Sequence, residues 1–309
     1  MSDPLSEVIT LLRPRTVFAK RISGAGRWGV RYSAYGDPSF CTVLEGGCRL
    51  AVDGHPEITL AANDFVLLPA TPGFTLAGFE PVRPQHVDPE LTAASPEEVR
   101  HGTPDGPADV RLLGGYFVFD SPDSTLLGSL LPTVVHVRDA ERLATLVRLV
   151  GDESSEQRAG RDLVLPRLVE VLLVEALRST QTQHAHPGLL RGLGDARLAP
   201  TIRALHGDVT RSWTVAELAR TAALSRSAFF DRFTRTVGLP PMEYLLTWRI
   251  ALAKDLLQRD ELALAEVAEQ VGYSSASAFS TAFKRYVGQP PSRYARAVAT
   301  VAAASPSAP

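Results

Sequence analysis

Residues 263–291 read ALAEVAEQVGYSSASAFSTAFKRYVGQPP, and residues 214–241 read TVAELARTAALSRSAFFDRFTRTVGLPP. The two stretches align at an offset of 49 residues before the central turn and 50 after it, so the second carries one extra turn residue. Ala216-Glu217-Leu218-Ala219 matches Ala265-Glu266-Val267-Ala268, an acid-apolar-Ala helix opening whose small Ala permits a close helix crossing. Thr214 with Glu217 three residues on has the form of a capping box. After each turn, Ala223-Leu224-Ser225 or Gly272-Tyr273-Ser274-Ser275, a second helix is predicted, over Arg226–Val237 and Ala276–Val287. The match continues through Phe229/Phe279, Phe233/Phe283, Gly238/Gly288, Pro240-Pro241/Pro290-Pro291 and Tyr244/Tyr294.

Phenylalanines at i and i+4 share one face and pack it against the preceding helix. That leaves an opposite face that is short, polar and partly basic. In the first unit it holds Arg226, Ser227, Phe230, Arg232 and Arg235; in the second, Ser275, Ala276, Ser277, Ser280, Thr281, Lys284 and Arg285. Such a helix suits the major groove of DNA, where side chains reach base edges. Met242–Arg259, amphipathic and long, lies between the units and would set the two reading helices about one DNA turn apart. Helical hairpins used for protein contacts share the alternation, but not the Ser-rich turns, basic second helices and Gly-x-Pro-Pro endings.

Outward from this repeat, the chain divides. Its 309 residues suggest about two domains. The net charge of −2 is polarised: from Asp195 onward there are 14 Lys/Arg against 10 Asp/Glu, and before it 18 against 24. A basic C-terminal part favours nucleic-acid contact through that end. The N-terminus lacks the order of a signal peptide and no apolar run is long enough to span a membrane, so a cytoplasmic protein is expected. Two cysteines, Cys41 and Cys48, provide neither a disulfide framework nor zinc spacing.

Residues 1–35 read as a leader with one amphipathic segment, Leu5–Leu12. Short apolar stretches between turn signals from about Ser39 to Phe119 predict a β-sandwich or small barrel, with Val82–Asp109 a long exposed loop. If Gly46-Gly47 is a hairpin turn, Cys48 opposes Glu45 and Cys41 lies about 13 Å along the same face, beyond disulfide reach. Helices follow, one capped by Asp139 and running to about Val150, the other Arg161–Ser179 with Pro166 in its first turns. The latter is apolar round much of its surface, which calls for packing on the barrel, on a second subunit, or both.

Residues ~196–297 resemble the DNA-binding domain of the AraC/XylS family of regulators; Ala265–Gly272, Phe279-Ser280, Phe283-Lys284-Arg285 and Gly288-Gln289-Pro290-Pro291 carry the match. The resemblance implies seven helices, operator DNA as partner, transcriptional control together with RNA polymerase, and an Arg in many members where Asp231 and Thr281 stand here. Residues ~8–180 resemble the cupin-like sensor half of some members, on Cys41–Leu50, Asn63–Pro69, Gly114–Phe117 and Leu168–Arg178. There the barrel houses a small-molecule effector and the following helices form a homodimer. Phe74 stands where a cupin enzyme would have its later metal-binding His, so no cofactor and no metal are expected, and a Cys41/His86/His101 metal set is the alternative. Cys41, Cys48, His86 and His101 are the effector or redox candidates.

The expectation is therefore an α+β chain. A cupin-like sensing and dimerisation domain (1–180) precedes a linker (181–195), a tandem helix-turn-helix domain (196–297) and a disordered tail (298–309). It is expected to be no enzyme; a metal-dependent cupin enzyme fused to a DNA-binding module is the competing reading.

Overall fold

The computed structural model describes residues 3–87, 98–119, 132–156, 158–179, 187–259 and 262–304. They pack as two units: the sheet and its helices (residues 13–119 and 132–179), and a helical unit combining residues 3–12 with 187–304.

In the sheet unit, β1 (Pro14–Ala25), β2 (Gly29–Tyr32), β3 (Ser39–Val52), β4 (Ile58–Ala61), β5 (Phe65–Leu68), β6 (Phe74–Ala77), β7 (Gln85–Val87), β8 (Val99–Gly102), β9 (Val110–Phe119) and β10 (Val135–Val137) form one curled, cupin-like sheet. Its main path is β7-β2-β6-β3-β9-β1-β8, with β4 and β5 on β3 and β10 on β5. Strand β3 holds it together, pairing with β5 and β9 in its first half and with β4 and β6 in its second.

Gly46-Gly47 is accordingly no hairpin turn; the chain continues through it as one strand. A bulge between Val43 and Glu45 shifts the register against β9. The extra residue reverses the in-out alternation, so Cys41 and Val43 before it and Cys48, Leu50 and Val52 after it all pack in the same core. Gly46 lies beyond the bulge with φ +71, and a Cβ there would sit 1.8 Å from the Asp109 carbonyl oxygen. Only glycine lets β9 approach so closely.

Other expectations also shift. Residues 1–35 are not a leader, because they contain a helix, α1 (Pro4–Leu12), and the first two strands. Val82–Asp109 is not all loop, since β7 pairs with β2 and β8 with β1; residues 88–97 lie outside the described part. Asp139 does not cap helix α2 (Glu141–Ser155), whose N-cap is Ala140. Asp139 takes φ +50 and donates its N–H to Asp64 Oδ1. Asp64 Oδ2 also meets His136 Nε2 at 3.0 Å, tying the β4–β5 turn to β10. Helix α3 (Arg161–Ser179) packs on α2 and β1 through Leu165, Val169, Leu172, Leu173, Ala176 and Leu177. Its Leu163 (69 % exposed), Val164 and Val171 face outward, as does Leu149 of α2.

The helical unit contains α4 (Leu189–Gly194), α5 (Ala199–Gly207), α6 (Val215–Thr221), α7 (Arg226–Val237), α8 (Pro241–Gln258), α9 (Leu264–Gln270), α10 (Ala276–Val287) and α11 (Pro291–Ala304). Helices α5–α11 are the seven that the resemblance implies. Helix α4 falls within the expected linker, with Leu189 and Leu190 buried, and α11 runs to Ala304 in the expected disordered tail; residues 305–309 lie outside the described part. Helix α1 belongs with this unit, burying Leu5, Val8, Ile9, Leu11 and Leu12, and it contacts α5.

Candidate nucleic-acid interface

The two predicted reading helices are α7 and α10, each 12 residues long. Each is opened by a serine whose hydroxyl accepts an N–H three residues on: Ser225 from Ala228 at 3.3 Å, Ser275 from Ala278 at 3.2 Å. Each is closed by a left-handed glycine, Gly238 at φ 90° and Gly288 at φ 85°. Such caps satisfy backbone groups that a helix end would leave unbonded. The phenylalanine pairs are fully buried, with ring centroids 5.5 Å apart in both units.

With that stripe buried, the opposite face is set. In α7, Ser227, Asp231 and Arg235 are exposed on successive turns; in α10 the equivalent line is Ser277, Thr281 and Arg285. Arg226, Phe230 and Lys284 are exposed beside these lines, while Ala276 and Ser280 are partly covered. The two helices differ in charge at four matched positions: Arg226 against Ala276, Asp231 against Thr281, Arg232 against Ala282, and Thr234 against Lys284. Ser275 is exposed but its hydroxyl already serves as the helix cap.

Arg232 is placed differently from its neighbours. Its Nε donates to Asp195 Oδ2 at 2.8 Å. Burial opposes the charge on Asp195, but bonds from Arg232 and from the N–H groups of Arg197 and Leu198 outweigh it and hold the carboxyl below its usual range. Arg232 therefore braces α7 against the segment before α5.

Two residues outside the repeat pattern organise the unit. Arg249, in the middle of α8, donates from Nε and Nη2 to Val209 O and from Nη2 to Arg211 O, and its guanidinium lies 5.8 Å from the Tyr273 ring centre. His206 is enclosed between Glu7 of α1 (2.8 Å) and the Tyr244 hydroxyl (2.7 Å), with its ring 4.4 Å from that of Trp248. Burial, then the nearby Glu7 charge, pushes the Tyr244 phenol far up. Arg249 and His206 gave no signal in the repeat, since each acts through residues distant in the chain.

The remaining candidates lie in the sheet unit. Cys41 lines a partly open cavity of about 90 Å³ with Phe18, Lys20, Tyr32, Phe74 and Tyr116. Both cysteines are free thiols. Burial, then the Asp64 charge, pushes the Cys41 thiol up to about 12, and burial raises that of Cys48 further. Protonated thiols react slowly with oxidants, which opposes the redox reading. His86 is exposed on β7, whereas His101 on β8 is stacked on Trp28 at 6.1 Å and lowered by burial. Among the described residues no three His, Cys, Asp or Glu side chains converge as metal ligands.

A cupin family model matches residues 3–181, and a helix-turn-helix family model matches residues 218–297. An AraC-like transcription regulator of Streptomyces lividans is 40% identical over 301 residues, covering 94% of this chain and 97% of the relative. The chain belongs to the AraC-like transcription regulators. A second such regulator, from Streptomyces antibioticus, is 39% identical over 299 residues, covering 94% of this chain and 98% of its own. Among solved structures, ToxT from Vibrio cholerae aligns over 91% of this chain and 96% of its own, at 15% identity and a TM-score of 0.37. This AraC-like regulator thus joins a cupin-like sheet to two helix-turn-helix units, and no helix among its described residues is long and apolar enough to cross a membrane.

Proposed function

We propose that the regulator reads double-stranded operator DNA with α7 and α10 together, as a homodimer, under control of a small molecule held in the sheet cavity. The observation that carries this reading is the pair of matched lines, Ser227–Asp231–Arg235 and Ser277–Thr281–Arg285, each on a serine-capped, phenylalanine-anchored helix. Arg226, Arg235, Lys284 and Arg285 supply phosphate contacts, and Ser227, Phe230, Ser277, Ser280 and Thr281 supply base-edge contacts. The outward Leu149, Leu163, Val164 and Val171 supply an apolar seam for a second copy of the chain. RNA polymerase is the partner through which bound regulator changes transcription. This reading requires no resident metal and no catalytic chemistry: Phe74 lines the cavity and is the residue that the resemblance to cupin enzymes sets in place of a metal-binding His.

Full-length protein is expected to shift its own upstream DNA, and Arg226→Ala or Lys284→Ala each to weaken that binding about tenfold, the order set by a lost charged contact. Unchanged affinity in both variants would refute the assignment of these faces. Metal analysis and turnover assays test the enzyme reading, which stoichiometric iron or manganese with activity would support.

A further inference from the structure

The segment Asp208–Trp213 precedes the first helix-turn-helix unit in the chain, yet it is wedged against the turn of the second. Gly272 makes this possible. It opens that turn at φ +78, and a Cβ on it would lie 2.7 Å from Thr210 O and 2.8 Å from Thr210 Cα. Both are closer than Cβ atoms approach real neighbours, so the backbone of one unit's leading loop occupies the space of a missing side chain in the other. Arg249 then fastens the contact, gripping Val209 O and Arg211 O while covering the Tyr273 ring next to Gly272. The loop passes the constraint on to the first unit. Trp213 Nε1 donates to Asp208 O, Arg211 stacks on Trp213 at 4.2 Å, and Arg211 bridges to Glu217 at 2.9 Å. Glu217 closes the capping box of α6, against which α7 packs. On the second unit, Tyr286 of α10 bonds the Thr247 hydroxyl of α8 at 3.0 Å, two residues before Arg249.

We infer that Arg249 is a positioning residue for operator spacing: it locks the two reading helices into one geometry, so that the two DNA boxes are accepted at a single separation. Inserting one base pair moves the second box by about 3.4 Å and turns it by roughly a tenth of a revolution. A rigid pair of readers cannot follow both boxes across that change, whereas a loosened pair can, at some loss of effective concentration. This rests on the DNA-reading assignment above.

The test uses full-length protein and a two-box operator selected from random DNA by the wild type. Inserting one base pair between the boxes should cost the wild type at least about tenfold in affinity. In Arg249→Met, whose unbranched side chain retains part of the apolar stem, the same insertion should cost no more than two- to threefold. Base substitutions within either box should cost both proteins alike. Thr247→Val, which removes the Tyr286 bond on the other side of the clamp, should relax the spacing penalty in the same direction and serves if Arg249→Met does not fold. An insertion penalty in either folded variant equal to that of the wild type would overturn the inference. So would an equal loss at native spacing and after insertion, because it would mark Arg249 as a stability residue alone. A wild type that selects no DNA would overturn the DNA-reading assignment itself, and the role of Arg249 with it.

Discussion

Ala223 and Gly272 occupy the same place in the two turns, and exchanging their side chains should move stability in opposite directions. Ala223 takes φ +51 although it has a Cβ, and Gly272 takes φ +78 without one. An L-residue in the left-handed region costs roughly 1–2 kcal/mol, while glycine costs about 0.5–1 kcal/mol in chain entropy. Ala223→Gly should therefore stabilise the helical unit by about 0.5–1 kcal/mol. Gly272→Ala incurs the same backbone difference with the sign reversed, and its Cβ also displaces Thr210. Moving that loop weakens the bonds from Arg249 to Val209 O and Arg211 O, worth about 1 kcal/mol each. The total loss should be about 3 kcal/mol. Trp213 and Trp248 both lie in this unit, so tryptophan emission during urea unfolding follows it, and a Trp28→Phe background removes the third indole from the sheet unit. A neutral Gly272→Ala would refute the wedged loop, and a destabilising Ala223→Gly would refute the strain at Ala223.

Lys284→Ala and Arg285→Ala should each weaken DNA binding on all sequences and lower the slope of log affinity against log salt by about 1, as loss of one phosphate contact requires; an unchanged slope would place these side chains off the backbone. Leu12→Ala should cost about 2–4 kcal/mol and raise hydrogen exchange in α5 and α8 before the sheet is affected, because α1 packs with the helical unit; loosening of β1 and β9 alone would contradict that packing. The thiols predict a pH dependence. Folded Cys41 and Cys48 stay protonated to about pH 12 or beyond, while unfolded thiols ionise near 9. The unfolded chain thus sheds protons that the folded one keeps, and stability should fall as pH rises from about 9 towards 12, by up to about 1.4 kcal/mol per pH unit for each thiol. Cys48→Ala should flatten that decline, and an equally steep fall without the thiol would assign it to other groups.

The tandem readers were legible because their determinants are local. A serine cap, two phenylalanines one turn apart and a terminal glycine each act within a single helix, so their spacing along the chain equals their spacing in the fold. The cupin-like texture was legible for the same reason, through short apolar runs between turn residues. The course of β3 was not. A run of two glycines suits a hairpin, and only pairing with β9 and β4 makes it a bulged continuous strand that turns both cysteines inward. Helix α1 reads as part of a leader until its apolar face is seen against α5, and Arg232 reads as a spare DNA contact until Asp195 is found beside it.

By itself, then, the sequence determined that this chain carries two copies of one reading unit and which side chains each copy shows to solvent, since helical periodicity alone sorts buried phenylalanine from exposed serine and arginine. How the copies are held to one another was decided by the tertiary structure. Arg249 reaches carbonyls about 40 residues away, and Gly272 is small for the sake of a backbone 62 residues upstream. Contacts of that range leave no period in the sequence, because their partners are set by how the helices pack and not by their order in the chain.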